Sequence, residues 1–316
     1  MEYLKIYEKL VFIRLIEEEI AYKYSEEKMR CPIHLSVGQE SSALGVCSVL
    51  SKKDIVFGSH RSHAHYLAKG GDPQKMISEL YGKIDGCVNG FGGSMHLQDD
   101  NVNFLASIPI VGSGIGLATG TSFKQKKDNK KNITCVFFGD GACEEGILHE
   151  SLNFSSLYEL PIMYVCENNI YSINSSINER QISDDFCRFA KAHNINSLRI
   201  NGNDLDRIIH QTKKIYNYIK KTSKPFFLQL DTYRFREHCG PNFDERSKTN
   251  KKEFNKWLRL DPINIYYNFL KKKKLINDDL NYFLKNKISN KIKIYFDQAE
   301  AQRLPNINDI NKDLAN

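Results

Sequence analysis

Asp140 stands between Gly139 and Gly141, and Asn168-Asn169 with Tyr171 follow one helical stretch later. Flanking glycines leave the Asp140 carboxylate uncrowded, and an Asn pair adds neutral oxygen ligands. Carboxylate plus amide oxygen suits a hard cation such as Mg²⁺, which keeps waters and bridges phosphates. Each half alone reads as an ordinary Asp-Gly or Asn-rich turn; the two together, at matching strand ends, read as an ion site. A second cluster is His60, His63 and His65, with His96 elsewhere. Clustered imidazoles could bind zinc. His238-Cys239 raises a thiol nucleophile, but loop neighbours seldom face one another. Gly112-Ser113-Gly114-Ile115-Gly116 suggests a dinucleotide site, yet Leu117 breaks Gly-x-Gly-x-x-Gly, and no acidic residue closes a strand ~20 residues on. A helix start packed closely on a sheet accounts for these glycines.

The elements that must position these groups follow from hydrophobic periodicity. Tyr3 to Tyr24 places Leu4, Tyr7, Leu10, Val11, Leu15, Ile16 and Ile20 at helical spacing, which predicts an amphipathic helix. Gly38 to Leu50 predicts a second. Asp54–Phe57, Ile133–Phe138, Ile162–Cys166 and Pro225–Leu230 are short apolar runs, while Ile147–Leu157 and Leu205–Ile219 are helical. Continuous apolar strands alternating with helices predict an α/β fold, a parallel sheet covered on both faces. Ligands in such sheets sit beyond the carboxyl ends of the strands, where Asp140 and Asn169 fall. Glu237 to Lys252 is polar and predicts a loop. The remainder, 251–316, predicts helices with Lys271–Lys274 in a turn or exposed face. No repeat or long linker divides the chain, so 1–316 is expected to be a single domain.

Several motifs in order then carry a resemblance. His34-Leu35-Ser36-Val37-Gly38-Gln39-Glu40, Ser59-His60-Arg61-Ser62-His63-Ala64-His65, Gly92-Gly93-Ser94-Met95-His96, Gly139-Asp140-Gly141, Cys166-Glu167-Asn168-Asn169, Thr232-Tyr233-Arg234 and Asp261-Pro262-Ile263 resemble the alpha subunit of thiamine-diphosphate-dependent 2-oxo acid dehydrogenases, of pyruvate and acetoin dehydrogenase type. The similarity runs over nearly the whole chain. It implies the thiamine-diphosphate-binding fold, a doubly wound parallel sheet with a helical C-terminal region. It implies that Asp140, Asn169 and the Tyr171 carbonyl hold Mg²⁺, that Gly141 and Ala142 offer N–H groups to the diphosphate, and that Arg61 pairs with it. His60 would lie beside the cofactor, Val111 and Gly112 would line its aminopyrimidine end, and His34 and His63 would point toward substrate and diphosphate. His238 would orient the 2-oxo acid or the acyl acceptor. The cofactor supplies the carbanion chemistry that releases carbon dioxide; the protein positions and tunes it. The resemblance also implies a beta subunit supplying a Glu to the aminopyrimidine, two alpha with two beta chains, and a lipoyl acyltransferase core. The alternative within the same class is a carboligase passing a two-carbon unit to another carbonyl.

The chain departs from the family pattern in places. Ala106-Ser107-Ile108-Pro109-Ile110-Val111 replaces Gly-x-Asn-Gly-Ile-Val, Phe91 replaces a basic residue, and Arg236-Glu237-His238-Cys239-Gly240-Pro241 replaces His-Gly-His-Ser. The altered late loop is what keeps the carboligase in view.

Composition narrows the remaining classes. The 316 residues carry a net charge of +7, with residues 251–316 holding 14 Lys+Arg against 8 Asp+Glu. Acidic residues mixed among the basic ones, without an interleaved aromatic platform, describe a solvated helical surface rather than a nucleic-acid site. Mean hydropathy is −0.47, and no apolar run nears the ~18 residues of a membrane span. Met1 to Ile20 interleaves Glu and Lys with Leu and Ile, unlike a signal peptide. The eight cysteines are therefore expected to be reduced, mostly core residues of a cytoplasmic protein.

Overall fold

The computed structural model describes residues 2–309; Met1 and the last residues of the predicted C-terminal helical region lie outside them. In chain order the first half holds α1 (Glu2–Lys23), α2 (Glu40–Cys47), β1 (Ile55–Gly58), α3 (His63–Lys69), α4 (Pro73–Leu80), β2 (Phe104–Ser107), α5 (Ser113–Lys127), β3 (Thr134–Gly139) and α6 (Gly146–Leu157). The second half holds β4 (Ile162–Asn168), the hairpin β5 (Tyr171–Ser172) and β6 (Ser175–Ser176), α7 (Ile177–Arg180), α8 (Cys187–Ala192), β7 (Asn196–Asn201), α9 (Leu205–Thr222), β8 (Phe226–Asp231), α10 (Arg246–Thr249), α11 (Lys251–Arg259), α12 (Pro262–Lys272) and α13 (Asp278–Ala301).

Six strands form one parallel sheet in the order β2-β1-β3-β4-β8-β7. Alternate side chains enter opposite cores, as the two-residue strand period requires. Val56, Cys135, Phe137, Met163, Val165, Leu228 and Leu230 join the core under α1, α2, α4, α9, α12 and α13. Phe57, Val136, Phe138, Ile162, Tyr164, Cys166 and Phe227 join the core under α5, α6 and α8. Apolar burial on both faces is why the central strands read as unbroken apolar runs.

The two strands that did not stand out in the sequence are the sheet edges. β7 carries Asn196, Ser197 and Arg199, and most of its residues are only partly buried or exposed. β2 is short and half-buried at its centre. An edge strand needs no continuous apolar run, so neither gave the signal of a central strand.

Three boundaries shift for local reasons. α2 starts after Gly38, not at it: Gly38 has φ +99°, and a β-carbon there would collide with the Tyr233 carbonyl oxygen. The predicted Glu237–Lys252 loop contains α10 and the start of α11, because Asp244 binds Arg246 and Asn250 caps the Glu253 N–H at 3.3 Å. The Lys271–Lys274 run ends α12 and turns, with Lys274 at φ +56°. Phe254, Ile263, Tyr266, Leu270, Ile292 and Phe296 share a core with Leu10, Ile16 and Ile20 of α1, so the C-terminal helices are part of the main body.

Candidate active site at the carboxyl ends of the strands

The carboxyl ends of β1, β3 and β4 open into a cleft of about 220 Å³. β1 delivers Ser59, His60 and Arg61; β3 delivers Asp140, Gly141 and Ala142; β4 delivers Glu167 and Asn169. The segment between β2 and α5 forms an apolar wall with Ile108, Pro109, Ile110, Val111 and Gly112. His34 and Gln39 come from the segment before α2, and Arg234 and His238 from the chain after β8.

The Asp140 carboxylate is 1% exposed. Burial pushes its carboxyl above the usual aspartate range, partly opposed by Arg180, whose Nη2 donates to Asp140 Oδ2 at 2.5 Å. Asn169 is held at both ends of its amide: Nδ2 donates to Gln39 Oε1 at 3.2 Å, and Oδ1 accepts the Tyr171 N–H at 3.2 Å. Gln39 thereby settles which way the Asn169 oxygen faces. Gly141 is required by a close approach, since a β-carbon there would lie 2.6 Å from Ser172 Oγ.

His34, His60 and His238 converge, with ring centroids 5.1 Å (His34 to His60), 5.3 Å (His34 to His238) and 5.4 Å (His60 to His238) apart. Burial, then the positive charge of Arg61, hold them neutral: His34 falls to about 3, His60 to about 2 and His238 to about 4. They therefore act near neutral pH as imidazoles, not imidazolium ions. His34 Nδ1 and Glu167 Oε1 are buried with no partner, free for a bound molecule. Arg61 Nη1 donates to the Leu35 carbonyl at 2.6 Å and Nη2 to the His238 carbonyl at 2.8 Å. It thus ties the β1 end to the late loop while lining the cleft.

One expected group is placed elsewhere. His63 is fully buried on α3 and is not part of the cleft lining. Its Nδ1 donates to Glu17 Oε1 at 2.8 Å, which leaves Nε2 to accept the Ser94 hydroxyl at 2.7 Å. The α3 helix turns this ring toward α1 rather than toward the cleft, so sequence proximity to His60 did not carry it into the site. The other site residues expected from the sequence all line the cleft. Pro109 adds apolar surface to one wall.

Four side chains completing the site were not singled out as functional from the sequence. Gln39, Glu167 and Arg234 lie inside motifs that signalled the resemblance, which was their available signal. Arg234 donates to Asp244 at 2.8 Å and contacts His238 Nδ1 at 3.3 Å, so it orients that ring. Arg180 had no sequence signal; the β5–β6 hairpin and α7 bring it back to Asp140.

The arrangement fits a diphosphate held through a divalent cation. Asp140 and Asn169 bring a carboxylate and an amide oxygen to adjacent strand ends, the donor type a hard cation requires. The glycine turn presses against Ser172 without room for another side chain, and two residues of the same lining, His34 and Glu167, carry unpartnered polar atoms. A bound thiamine diphosphate would supply the carbanion chemistry there, while this chain would hold and orient it.

A cleft at the carboxyl edge of a doubly wound sheet, with a carboxylate and an amide on neighbouring strands, is where such folds bind ligands. The family described as "Dehydrogenase E1 component" matches residues 8–308. The chain is 33% identical over 262 residues to the pyruvate dehydrogenase E1 component subunit alpha of Rickettsia prowazekii (strain Madrid E), covering 83% of this chain and 80% of that protein. It is 30% identical over 314 residues to the Rickettsia typhi protein of the same name, covering 99% and 95%. It is 32% identical over 310 residues to the chloroplastic subunit alpha-3 of Arabidopsis thaliana, covering 96% and 72%. The chain belongs to the E1 dehydrogenase family, as an alpha subunit of the thiamine-diphosphate-dependent 2-oxo acid dehydrogenases.

Proposed function

We propose that this alpha subunit takes pyruvate as its 2-oxo acid, decarboxylates it oxidatively and passes the acyl group to a lipoyl carrier. The relatives named for pyruvate support this choice of substrate. The carboligase alternative is not favoured, since those relatives are dehydrogenase components. The observation that carries the reading is the meeting of Asp140, Asn169 and Tyr171 at adjacent strand ends. Asp140, Asn169 and the Tyr171 carbonyl would hold Mg²⁺; Gly141 and Ala142 would donate N–H groups to the diphosphate. Val111 and Gly112 would face the aminopyrimidine, with His34, His60 and Arg61 along the cofactor. His238, oriented by Arg234, would donate a hydrogen bond to the 2-oxo acid or the acyl acceptor. His63 would then position Ser94 and the segment at His34 without touching substrate.

The proposal includes a beta subunit in a two-alpha, two-beta assembly, a lipoyl acyltransferase core and a cytoplasmic location. Among the described residues no helix is long and apolar enough to cross a membrane. The cleft lining includes Ile110 at 72% and Val111 at 47% exposure, an apolar rim suited to cover by another subunit. Glu167 is the only Glu among the described lining residues, and its Oε2 accepts from His65 Nε2 at 3.0 Å. The Glu that activates the cofactor would come from the partner. Residues 1–316 would act as one domain, with 251–316 adding subunit contacts through exposed Tyr282, Phe283 and Ile294.

The test is affinity purification from the source organism, followed by pyruvate decarboxylation assays with and without thiamine diphosphate and Mg²⁺. Recovery of a beta chain and a lipoyl carrier with cofactor-dependent turnover is expected. A beta chain without a carrier, turning over only with a second carbonyl acceptor, would support the carboligase instead.

A further inference from the structure

Glu79 lies in the last turn of α4, outside the cleft lining, and its side chain is buried against backbone. Oε2 accepts the N–H groups of Val88 and Gly90, both at 2.9 Å. Oε1 accepts those of Gly92 at 2.7 Å and Gly93 at 3.0 Å. Residues 86–93 are thus wrapped around one carboxylate, and their glycines let the loop close so tightly. Gly90 and Gly93 have φ +81° and +64°, and a β-carbon on Gly86 would run into Glu79 Oε2. Phe91, a departure from the family pattern, is exposed within this loop; the carboxylate binds backbone and does not constrain that side chain.

We propose that Glu79 is a positioning residue for the dehydrogenase reaction: it is the template for the loop that sets Ser94, Met95 and, through Ser94, His34. The inference rests on the function proposed above. Ser94 and Met95 directly follow the anchored Gly92 and Gly93, and Met95 lines the cleft. The Ser94 N–H donates to Cys31 Sγ at 3.3 Å, and the Ser94 hydroxyl oxygen accepts the His34 N–H at 3.3 Å. The same hydroxyl donates to His63 Nε2 at 2.7 Å. A continuous chain of bonds therefore runs from a carboxylate on α4 to an imidazole of the cleft. A charged acceptor makes stronger hydrogen bonds than a neutral one. Both carboxylate oxygens accept, whereas an amide accepts at one end and donates at the other. A shift of about 1 Å at a reacting site can cost about 10²-fold in rate, even when its origin lies far from the chemistry.

Glu79→Gln keeps the size of the side chain and turns an amide nitrogen toward one pair of N–H donors. Asp54→Asn is the control for a merely structural loss. Asp54 is also fully buried and accepts the Ser51 and Ile133 N–H groups at 2.7 and 2.9 Å, away from the cleft lining. Each variant is prepared as the full chain with its co-purified beta partner and assayed where circular dichroism shows it folded. Glu79→Gln should lower kcat/KM for pyruvate at least about tenfold and speed hydrogen exchange at the His34 and Ser94 amides. Asp54→Asn should leave both as in wild type. Gly92→Ala places a β-carbon 2.5 Å from Val88 Cγ2 and so displaces the loop with Glu79 intact. It should reproduce both changes, and it carries the test if Glu79→Gln does not fold. Wild-type kcat/KM in the loop variants, or an equal loss in Asp54→Asn, overturns the proposal. If the wild-type assembly turns over no pyruvate, the function reading fails separately. Exchange at His34 and Ser94 then judges Glu79 alone: faster exchange confined to the loop variants supports the role, and unchanged protection overturns it.

Discussion

At the scale of single residues, the Asp140 carboxylate is the group whose removal should disturb the site most. It is the charged member of the proposed oxygen set, and the other carboxylate of the cleft lining, Glu167, is bound through Oε2 to His65. Asp140→Ala should weaken Mg²⁺-dependent thiamine diphosphate binding by at least about 100-fold and abolish turnover, because outer-shell losses alone cost about 10–100-fold. Calorimetric titration checks this, and unchanged affinity would remove the assignment. Gln39→Ala tests the outer shell itself: without the 3.2 Å bond to Asn169 Nδ2 the amide can rotate, and a loss of about 10–100-fold is expected. His238→Ala should reduce turnover and acyl transfer more than cofactor affinity, since the ring faces His34 and His60 at the cleft rather than Asp140. Equal losses in both would contradict that role.

The three neutral imidazoles also give a pH signature with a definite sign. Their folded values lie near 3, 2 and 4, below the ordinary histidine value of about 6.5. Between these limits the unfolded chain binds protons that the folded chain refuses, so stability rises with pH. The contribution is complete above about pH 7 and is lost as pH falls from about 6.5 toward 4. Thermal melts from pH 4 to 8 should show that decline. His238→Gln should flatten the upper part of the decline; an unchanged slope would assign it to other groups.

At the scale of elements, α1 is a supporting beam for the site although none of its residues lines the cleft. Glu17 is fully buried on that helix. It accepts from His63 Nδ1 and from the Ser36 N–H, both at 2.8 Å. Ser94, the other partner of His63, also accepts the His34 N–H at 3.3 Å. The network therefore locks α3 and the His34–Gln39 segment onto α1. Glu17→Ala strands buried donors at about 1–3 kcal/mol each, so a loss of about 2–5 kcal/mol in urea unfolding is expected. A loss under about 1 kcal/mol would show that the network is dispensable.

At the scale of the whole molecule, the two cores divided by the sheet explain how the chain holds a site mostly made of turns. Strand ends from β1, β3 and β4 are fixed on both faces by packed helices, and the turns inherit that rigidity. The cleft still has an open apolar rim, and Glu167, the only Glu among its described lining residues, is tied through Oε2 to the buried His65. The purified alpha chain should therefore show no pyruvate decarboxylation until its beta partner is added, measured as carbon dioxide release with an artificial electron acceptor. Turnover by the chain alone would end the shared-site account.

The central strands, α1, α6, α9 and the Asp140–Asn169 pair were legible in the sequence, because period, apolar burial and glycine-bounded acidity are local signals. Motif order also carried the family. The edge strands β2 and β7 were not legible, since half-covered strands need no apolar run. The direction of His63 was decided by α3 packing on α1, although its neighbour His60 does reach the cleft. Arg180 meets Asp140 across a chain separation of 40 residues, through a hairpin and a short helix. Residue types and spacing determined which oxygen-bearing side chains were present at the strand ends. Only tertiary packing decided which imidazoles face the cleft and which guanidinium meets the Asp140 carboxylate, because side-chain direction and long-range ion pairing arise from how the elements meet.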